Sequence, residues 1–199
     1  MNNSLVFIDE AFLSKLSKYF GSGKYIKFDR IVFAKNIADK EKMICLRAFL
    51  YTAPPYQSEP PTKEEERRKK GYDKFIRNIS KNETITIREG RCQRLKIDEE
   101  IIYKQKYVDV LLTIDLMRTP LKFPSIKRII LVSSDSDFIP AIEALEEFNI
   151  KVILYTYYEK NRNTNFSRSN QLIKAVYKYI LLTEEDLKNA PLEKNEENI

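Results

Sequence analysis

The sequence predicts an α/β fold in which helices cover both faces of a mainly parallel sheet. Short apolar runs, rich in β-branched residues and without alternation, occur at Leu5–Ile8, Ile129–Val132 and Ile150–Tyr155. Runs of this kind are typical of strands that are buried on both faces. Segments with helical spacing follow the first two runs, as in right-handed βαβ units. These two runs also lead into aspartates, Asp9 and Asp135, at the sheet edge where α/β proteins bind ligands.

Apolar spacing and charge pairs four residues apart predict further elements along the chain. Helices are expected at Ala11–Tyr19, Phe28–Ala38, Lys63–Lys81, Lys106–Leu121, Phe138–Glu147 and Ser169–Ala175, with another beginning near Thr183. Strands are expected at Met43–Thr52, Thr84–Arg88, Arg91–Ile97 and Tyr177–Leu182. Glu89 and Gly90 are predicted to turn the chain so that the strands on either side form a hairpin. Ala53–Thr62 contains half of the eight prolines and is predicted to be a loop.

Length and composition are those of a globular protein with a basic charge. The 199 residues fit one domain, which we expect to span residues 1–190, followed by a polar, disordered tail over residues 191–199. The net charge of +6 is consistent with a polyanionic partner. No apolar stretch approaches the length of a membrane span, and the first residues lack the pattern of a secretory leader. We therefore expect a cytoplasmic protein with no membrane partner.

The absence of histidine restricts the chemistry that the chain can perform. Ser-His-Asp and Cys-His catalysis are excluded, as is any histidine-ligated zinc site. The two cysteines, Cys45 and Cys92, stand in no metal-binding or redox spacing. Carboxylates, Lys, Tyr, Ser or a bound metal remain for acid–base chemistry. No glycine-rich phosphate loop or dinucleotide motif occurs, which argues against nucleotide-dependent enzymes.

Four aspartates are expected to converge at the carboxyl edge of the sheet. Asp9, Asp135 and Asp137 follow strands, and Asp109 lies in the first turn of a helix that packs beside them. A single aspartate in such a place is usually a turn residue or a helix cap. Four of them crowded together would repel one another and raise their pKa values. A hard divalent cation, which prefers oxygen ligands, would relieve that repulsion.

Asp115 is a different kind of candidate. It lies among apolar residues on the helix that contains Asp109, and capping does not explain it. We expect its carboxylate to be at least partly buried, so that it needs a partner or a metal.

Two basic segments are candidates for phosphate contacts. Four cations are concentrated in the predicted hairpin: Arg88, Arg91, Arg94 and Lys96. An ordinary exposed hairpin explains them about equally well. The loop Thr156–Ser169 mixes aromatic, amide and basic residues: Tyr157, Tyr158, Lys160, Arg162, Asn163, Asn165 and Arg168. That mixture suits base stacking together with phosphate contacts, although a solvated loop has a similar composition.

Three blocks of the sequence resemble the signature blocks of the NYN domain, and in particular the LabA-like branch of the PIN-like nucleases. The blocks are Phe7-Ile8-Asp9, then Lys106-Tyr107-Val108-Asp109 continuing through Ile114-Asp115-Leu116, then Ile129 to Pro140. The resemblance extends from about Leu5 to Leu182. The SDSDF-x-P sequence after an apolar strand is fairly specific when it occurs with the V-D-V sequence upstream.

The resemblance implies a fold, an activity and a set of site residues. It implies a PIN-like (Rossmann-like) three-layer α/β/α sandwich and cleavage of RNA that depends on Mg²⁺ or Mn²⁺. Asp9, Asp109 and Asp135 would be catalytic metal ligands, supported by Asp137 and Asp115. Substrate contacts are expected from Ser133, Ser134, Lys106, Arg91, Arg94 and Arg168. Single-stranded DNA remains open as a partner beside RNA, and so does a homodimer.

The sequence departs from the family pattern at three places. The first block usually reads Asp-Gly-x-Asn, but Asp9 is followed by Glu10, Ala11 and Phe12, so the polar Asn is missing. Glu10 is the candidate to replace it. Tyr107 and Ser134 occupy positions where the family usually has glycine, so that the backbone approaches the site differently.

Two other classes of function are considered. An inert NYN-fold module would bind RNA without cleaving it, as the missing Asn allows. A phosphatase or receiver-like domain would use one aspartate as a nucleophile, but such phosphatases usually have Asp-x-Asp after the first strand. We rank the nuclease first and the phosphatase last.

Overall fold

The computed structural model describes residues 1–160 and 166–192. Its strands are β1 (Asn2–Asp9), β2 (Met43–Thr52), β3 (Ile85–Glu89), β4 (Arg91–Ile97), β5 (Glu100–Lys106), β6 (Arg128–Val132), β7 (Lys151–Thr156) and β8 (Lys178–Leu181). Its α-helices are α1 (Glu10–Phe20), α2 (Arg30–Lys40), α3 (Lys63–Ile79), α4 (Val108–Lys122), α5 (Ile139–Glu147), α6 (Asn170–Ala175) and α7 (Glu184–Lys188). A 3-10 turn, Ser136–Phe138, directly precedes α5.

Six of the strands form one parallel sheet, in the order β3-β2-β1-β6-β7-β8. The predicted α/β fold with a mainly parallel sheet is confirmed. From β1 the chain adds β2 and β3 on one side and later adds β6, β7 and β8 on the other. The strand order therefore reverses between β1 and β6. Ligands of open α/β sheets bind at such a point, outside the carboxyl ends of the strands.

Helices cover both faces of the sheet because alternate strand residues face opposite layers. In β1, Val6 and Ile8 join a core cluster with residues of α1, α2 and α7. Leu5 and Phe7 join a second cluster with residues of α4, α5 and α6. All four side chains are fully buried. The two clusters lie on opposite faces of the sheet, which gives the expected three-layer α/β/α arrangement.

The predicted hairpin between Thr84–Arg88 and Arg91–Ile97 is wrong. β3 pairs in parallel with β2 at the edge of the main sheet, whereas β4 pairs with β5 in a separate antiparallel ribbon. Asp98 and Glu99, both with positive φ, form the two-residue turn between β4 and β5. Two positive φ values in a two-residue loop are typical of a hairpin turn that matches strand twist. As a consequence, the predicted helix from Lys106 begins only at Val108.

Some predicted features fall outside the described residues. Arg162, Asn163 and Asn165 of the predicted loop are among them, as is the tail from residue 193 onward. Within the described ranges, none of the helices has the length and apolar character needed to cross a membrane.

Candidate active site

Asp9 stands where β1 ends and α1 begins. It is the last residue of β1 and the N-cap of α1, and its Oδ1 accepts the backbone N–H of Phe12 at 3.1 Å. Its other oxygen, Oδ2, accepts the hydroxyl of Ser133 at 3.2 Å. The cap explains why a helix starts here, and the Ser133 bond joins the end of β1 to the end of β6.

The environment of Asp9 raises its pKa to about 6. Burial is the largest cause, because a buried carboxylate loses hydration. The hydrogen bonds from Phe12 and Ser133 act in the opposite direction, and the negative charge of Asp109 raises the pKa further. A nearby cation would therefore stabilise the ionised form of Asp9.

Ser133 also positions Asp135. The backbone N–H of Asp135 donates to Ser133 Oγ at 3.1 Å, and Ser133 itself is fully buried. Asp135 Oδ1 accepts the N–H of Asp137 at 2.9 Å and so caps the 3-10 turn. One buried hydroxyl therefore connects Asp9 with Asp135, while Asp137 stands exposed at the next turn.

Asp109 approaches the same group from α4. It is the second residue of that helix and is exposed. Its pKa is raised by partial burial and then by the charges of Asp135 and Asp137. Because the charge of Asp109 also raises the pKa of Asp9, the structure places Asp109 close to Asp9 and to the pair Asp135 and Asp137.

Asp115 has other partners. Its Oδ2 accepts the hydroxyl of Tyr51 at 3.1 Å and lies 2.9 Å from Nε of Arg88. The Arg88 contact is a charge interaction whose angle leaves the Nε–H without a hydrogen-bond acceptor. Burial, and then the Asp115 charge, raise the pKa of Tyr51. The expectation that Asp115 needs a partner is confirmed, and that partner is Arg88 together with Tyr51.

A cleft of about 430 Å³ opens beside the acids. Asp9 and Asp135 line it together with Lys15, Ser134 and Arg168. Its apolar walls are formed by Phe12 and Phe166. The cleft therefore combines carboxylates, which can bind a metal ion, with two cations, which can bind an anionic ligand of that metal.

The two cations at the cleft lie against aromatic rings. Lys15 Nζ is 5.0 Å from the centre of the Phe166 ring, and Arg168 Cζ is 5.2 Å from that of Tyr158. Arg168 was predicted from the sequence as a site residue, whereas Lys15 was not. Lys15 could have been identified from its position on the second turn of the helix that Asp9 caps.

The expectation that Glu10 replaces the missing Asn is wrong. Its Oε1 accepts from Arg30 and from the Ser14 hydroxyl, each at 2.6 Å, and its Oε2 accepts Arg30 Nε at 3.2 Å. Glu10 is buried in this ion pair and is not among the residues that line the cleft.

The predicted substrate-binding cations of the ribbon are divided between its two faces. Arg91 is the cross-strand partner of Lys106, so both side chains project from one face. Arg94, three residues further along β4, projects from the other. All three are exposed. The structure therefore brings Arg91 and Lys106 together but not Arg91 and Arg94.

The donor set at the cleft fits a divalent cation in its chemistry. Within residues 1–160 and 166–192, no three acidic or thiol side chains are arranged so that they could hold a metal ion by themselves. Mg²⁺ does not need such a cage, because it usually binds one or two carboxylates and completes its shell with water and substrate phosphate. The Asp9 and Asp135 carboxylates, with Asp109 beside them, meet that requirement.

Comparisons with known proteins agree with this fold. The chain resembles the crystal structure of a protein of unknown function from Vibrio parahaemolyticus RIMD 2210633, with a TM-score of 0.58 and 16% identity over 94% of this chain and 95% of that one. No curated protein matches the sequence. The family model of the NYN domain matches residues 3–182. That match includes every aspartate of the cleft, and the chain belongs to the NYN domain family.

Proposed function

We propose that this protein is a Mg²⁺- or Mn²⁺-dependent ribonuclease of the LabA-like branch, which hydrolyses RNA phosphodiester bonds. The main support is the hydrogen-bonded unit of Asp9, Ser133 and Asp135 at the point where the strand order reverses. Membership of the NYN family supports the same conclusion, because NYN domains belong to the PIN-like nuclease superfamily.

Asp9 and Asp135 would bind the cation, with water and substrate phosphate completing its shell, and Asp109 and Asp137 would add negative charge beside it. A divalent cation at this place supplies Lewis acidity, which activates water and offsets the charge of the phosphate. Ser133 keeps Asp9 and Asp135 oriented, because its hydroxyl donates to one and accepts from the backbone of the other.

The remaining cleft residues would bind the nucleic acid. Lys15 and Arg168 line the same cleft as Asp9 and Asp135. Their positive charges would bind the phosphates of a nucleic acid in the cleft. Ser134 offers a hydroxyl in the same cleft. The Tyr158 ring, partly exposed beside Arg168, offers apolar surface to a sugar or base.

An inert RNA-binding module is the second candidate, and Phe12 is the observation that favours it. Phe12 lines the cleft at the position of the family's Asn, and the neighbouring Glu10 is held in its ion pair with Arg30. The site therefore lacks one polar group that could help to orient a ligand. Such a module would bind RNA in the cleft without turnover.

Cleavage of labelled single-stranded and hairpin RNA tests the proposal. The purified protein is assayed with Mn²⁺, with Mg²⁺ and with EDTA, beside Asp135→Asn, which retains a capping oxygen. Glu147→Gln makes the same change of charge at the far end of α5 and serves as the control. We expect metal-dependent cleavage that is lost in Asp135→Asn and kept in Glu147→Gln.

Binding without cleavage under every metal condition would favour the inert module instead. Cleavage that persists in Asp135→Asn would remove the basis of the carboxylate mechanism. The homodimer left open by the sequence stays a prediction, which light scattering of the same preparation would check.

A further inference from the structure

The β4–β5 ribbon leaves the sheet and rejoins it beside the acids. At its start, the Gly90 N–H donates to the carbonyl of Thr52, where β2 ends, at 2.8 Å. At its end, the chain passes from Lys106 through Tyr107 into α4, whose second residue is Asp109. A side chain at Gly90 would place Cβ 2.2 Å from the Lys106 carbonyl oxygen, so only glycine allows the two ends to approach this closely. The base of the ribbon therefore lies at the same sheet edge as the cleft.

One face of the ribbon concentrates positive charge at this base. Arg91 is opposite Lys106, and Gln93 is opposite Lys104, so these four side chains project from one face, here called the root face. The opposite face contains Tyr103, whose ring lies 5.7 Å from that of Tyr56. The ribbon's acidic residues are instead at its far tip: Asp98, Glu99 and Glu100.

Tyr107 continues the root face toward Asp109. The guanidinium of Arg91 lies 5.2 Å from the centre of its ring, and the residue is 57% exposed. Its φ of 73° is in the left-handed region, which a non-glycine residue occupies only under strain. Core packing does not explain this strain, because most of the side chain is in solvent. The exposed ring instead lies beside Arg91, two residues before Asp109 in the chain, where a ligand could reach it.

We propose that the root face and Tyr107 bind a single-stranded nucleic acid that extends to the aspartates of the candidate active site. Arg91, Lys104 and Lys106 contact successive phosphates, and the Tyr107 ring stacks on an unpaired base beside Asp109. The inference rests on the proposed function and adds the form of the substrate. A single strand can present a base face to Tyr107, whereas the bases of a duplex are already stacked on each other.

Binding measured in EDTA separates this inference from catalysis. The full chain is titrated into a labelled single strand of about ten nucleotides and followed by fluorescence anisotropy. RNA, DNA and duplex versions of one sequence identify the form that is bound. The variants are Tyr107→Gly, Tyr107→Phe, Lys104→Ala and Lys96→Ala. The last is the matched control, because Lys96 is an exposed lysine of β4 on the opposite face.

The stacking role predicts opposite effects on binding and on folding at Tyr107. Tyr107→Gly is expected to weaken single-strand binding by at least about fivefold, since stacking on an aromatic ring contributes that much per base. The same variant keeps or raises the thermal stability, because glycine tolerates this φ. Tyr107→Phe keeps the ring and is expected to keep the affinity.

The phosphate role predicts a change in salt dependence. Lys104→Ala is expected to reduce the slope of log K against log salt by about 0.7, the loss of one phosphate contact to a single strand, while Lys96→Ala leaves the slope unchanged. If Tyr107→Gly and Lys104→Ala both bind single strands as well as the wild type does, this inference is overturned but the proposed function is not. A preference for duplex would also overturn this inference. A wild-type protein that neither binds nor cleaves nucleic acid would overturn the proposed function as well.

Discussion

Ser133 donates its hydroxyl to Asp9 over 3.2 Å, and this bond connects the carboxyl ends of β1 and β6. Ile8 and Val132 are partners in the parallel pairing of β1 and β6, so the residues that follow them, Asp9 and Ser133, lie side by side. Since Ser133 also accepts the N–H of Asp135, it fixes the spacing of the two aspartates that line the cleft.

Replacement of Ser133 by alanine is expected to lower the stability of the fold and to raise the pKa of Asp9. The substitution removes a donor from Asp9 and leaves the Asp135 N–H without its acceptor, which costs about 1–3 kcal/mol in the free energy of unfolding. Because the Ser133 bond lowers the pKa of Asp9, its loss should move that pKa further upward. Denaturant unfolding and an NMR titration of the carboxyl measure the two effects. Ser136→Ala, on the exposed side of the same turn, should leave both unchanged; equal effects of the two variants would refute the bridging role of Ser133.

Asp9 gives the stability of the metal-free protein a specific pH dependence. Its folded pKa of about 6 exceeds the ordinary value of 3.8, so the folded state binds the proton more tightly than the unfolded state does. Between these two pH values the contribution of Asp9 to stability therefore falls as pH rises, by about 3 kcal/mol in total. Above pH 7 the ionised carboxylate opposes folding in full.

The variant Asp9→Asn isolates this contribution. Measured in EDTA, it should be more stable than the wild type by up to about 3 kcal/mol at pH 8, and the difference should shrink toward zero as pH falls to about 4. Asn keeps an oxygen that can accept from Phe12, so the helix cap is preserved. A difference that is constant with pH would show that Asp9 does not titrate in this range.

The sequence predicted the main sheet well because its strands have a strong signal. Runs such as Leu5–Ile8 and Ile129–Val132 lack alternation, and both are fully buried in the sheet. The ribbon was mispredicted for a physical reason. β3 is an edge strand with one neighbour, and its alternation resembles that of a hairpin strand. Only tertiary pairing with β2 distinguishes the two possibilities.

The acids of the site were also predictable, but their partners were not. Asp9 and Asp135 follow apolar runs, and the carboxyl edges of neighbouring parallel strands meet in space. By contrast, the pairing of Glu10 with Arg30 joins two helices and leaves no pattern in the sequence. The strand pairing of Tyr51 with Arg88, which positions both for Asp115, is likewise visible only in three dimensions.

Asp115→Asn should lower the stability of the fold but leave the response to metal unchanged. Asp115→Asn weakens the contacts with Arg88 and the buried Tyr51 hydroxyl, so we expect it to lower the free energy of unfolding by about 1–3 kcal/mol in EDTA. Its response to added Mn²⁺ should match that of the wild type. Thermal unfolding with and without the metal measures both quantities. A lost metal response with unchanged stability would instead assign Asp115 to the metal site.

The buried ion pair of Glu10 and Arg30 should be essential for the folded state. Their side chains are 7% and 12% exposed, and Arg30 also lies over the Phe28 ring at 4.0 Å. Arg30→Ala leaves the Glu10 charge buried without its partner and is expected to cost about 3–5 kcal/mol. The double variant with Glu10→Ala should recover part of that loss, as a double-mutant cycle in denaturant would show. Purely additive losses would contradict a coupling between the two charges.

Metal binding can be measured without any substrate, through its effect on unfolding. Carboxylates that repel one another in the folded state gain from a cation that the unfolded chain does not bind in the same way. At a metal concentration of about 100 times Kd, the wild type should gain about 2.7 kcal/mol in the free energy of unfolding. Asp135→Asn, which removes one carboxylate charge but keeps the cap, should lose most of that gain, whereas Glu147→Gln should keep it. Unfolding curves of all three proteins in Mn²⁺ and in EDTA make the comparison, and an equal gain in Asp135→Asn would place the metal elsewhere.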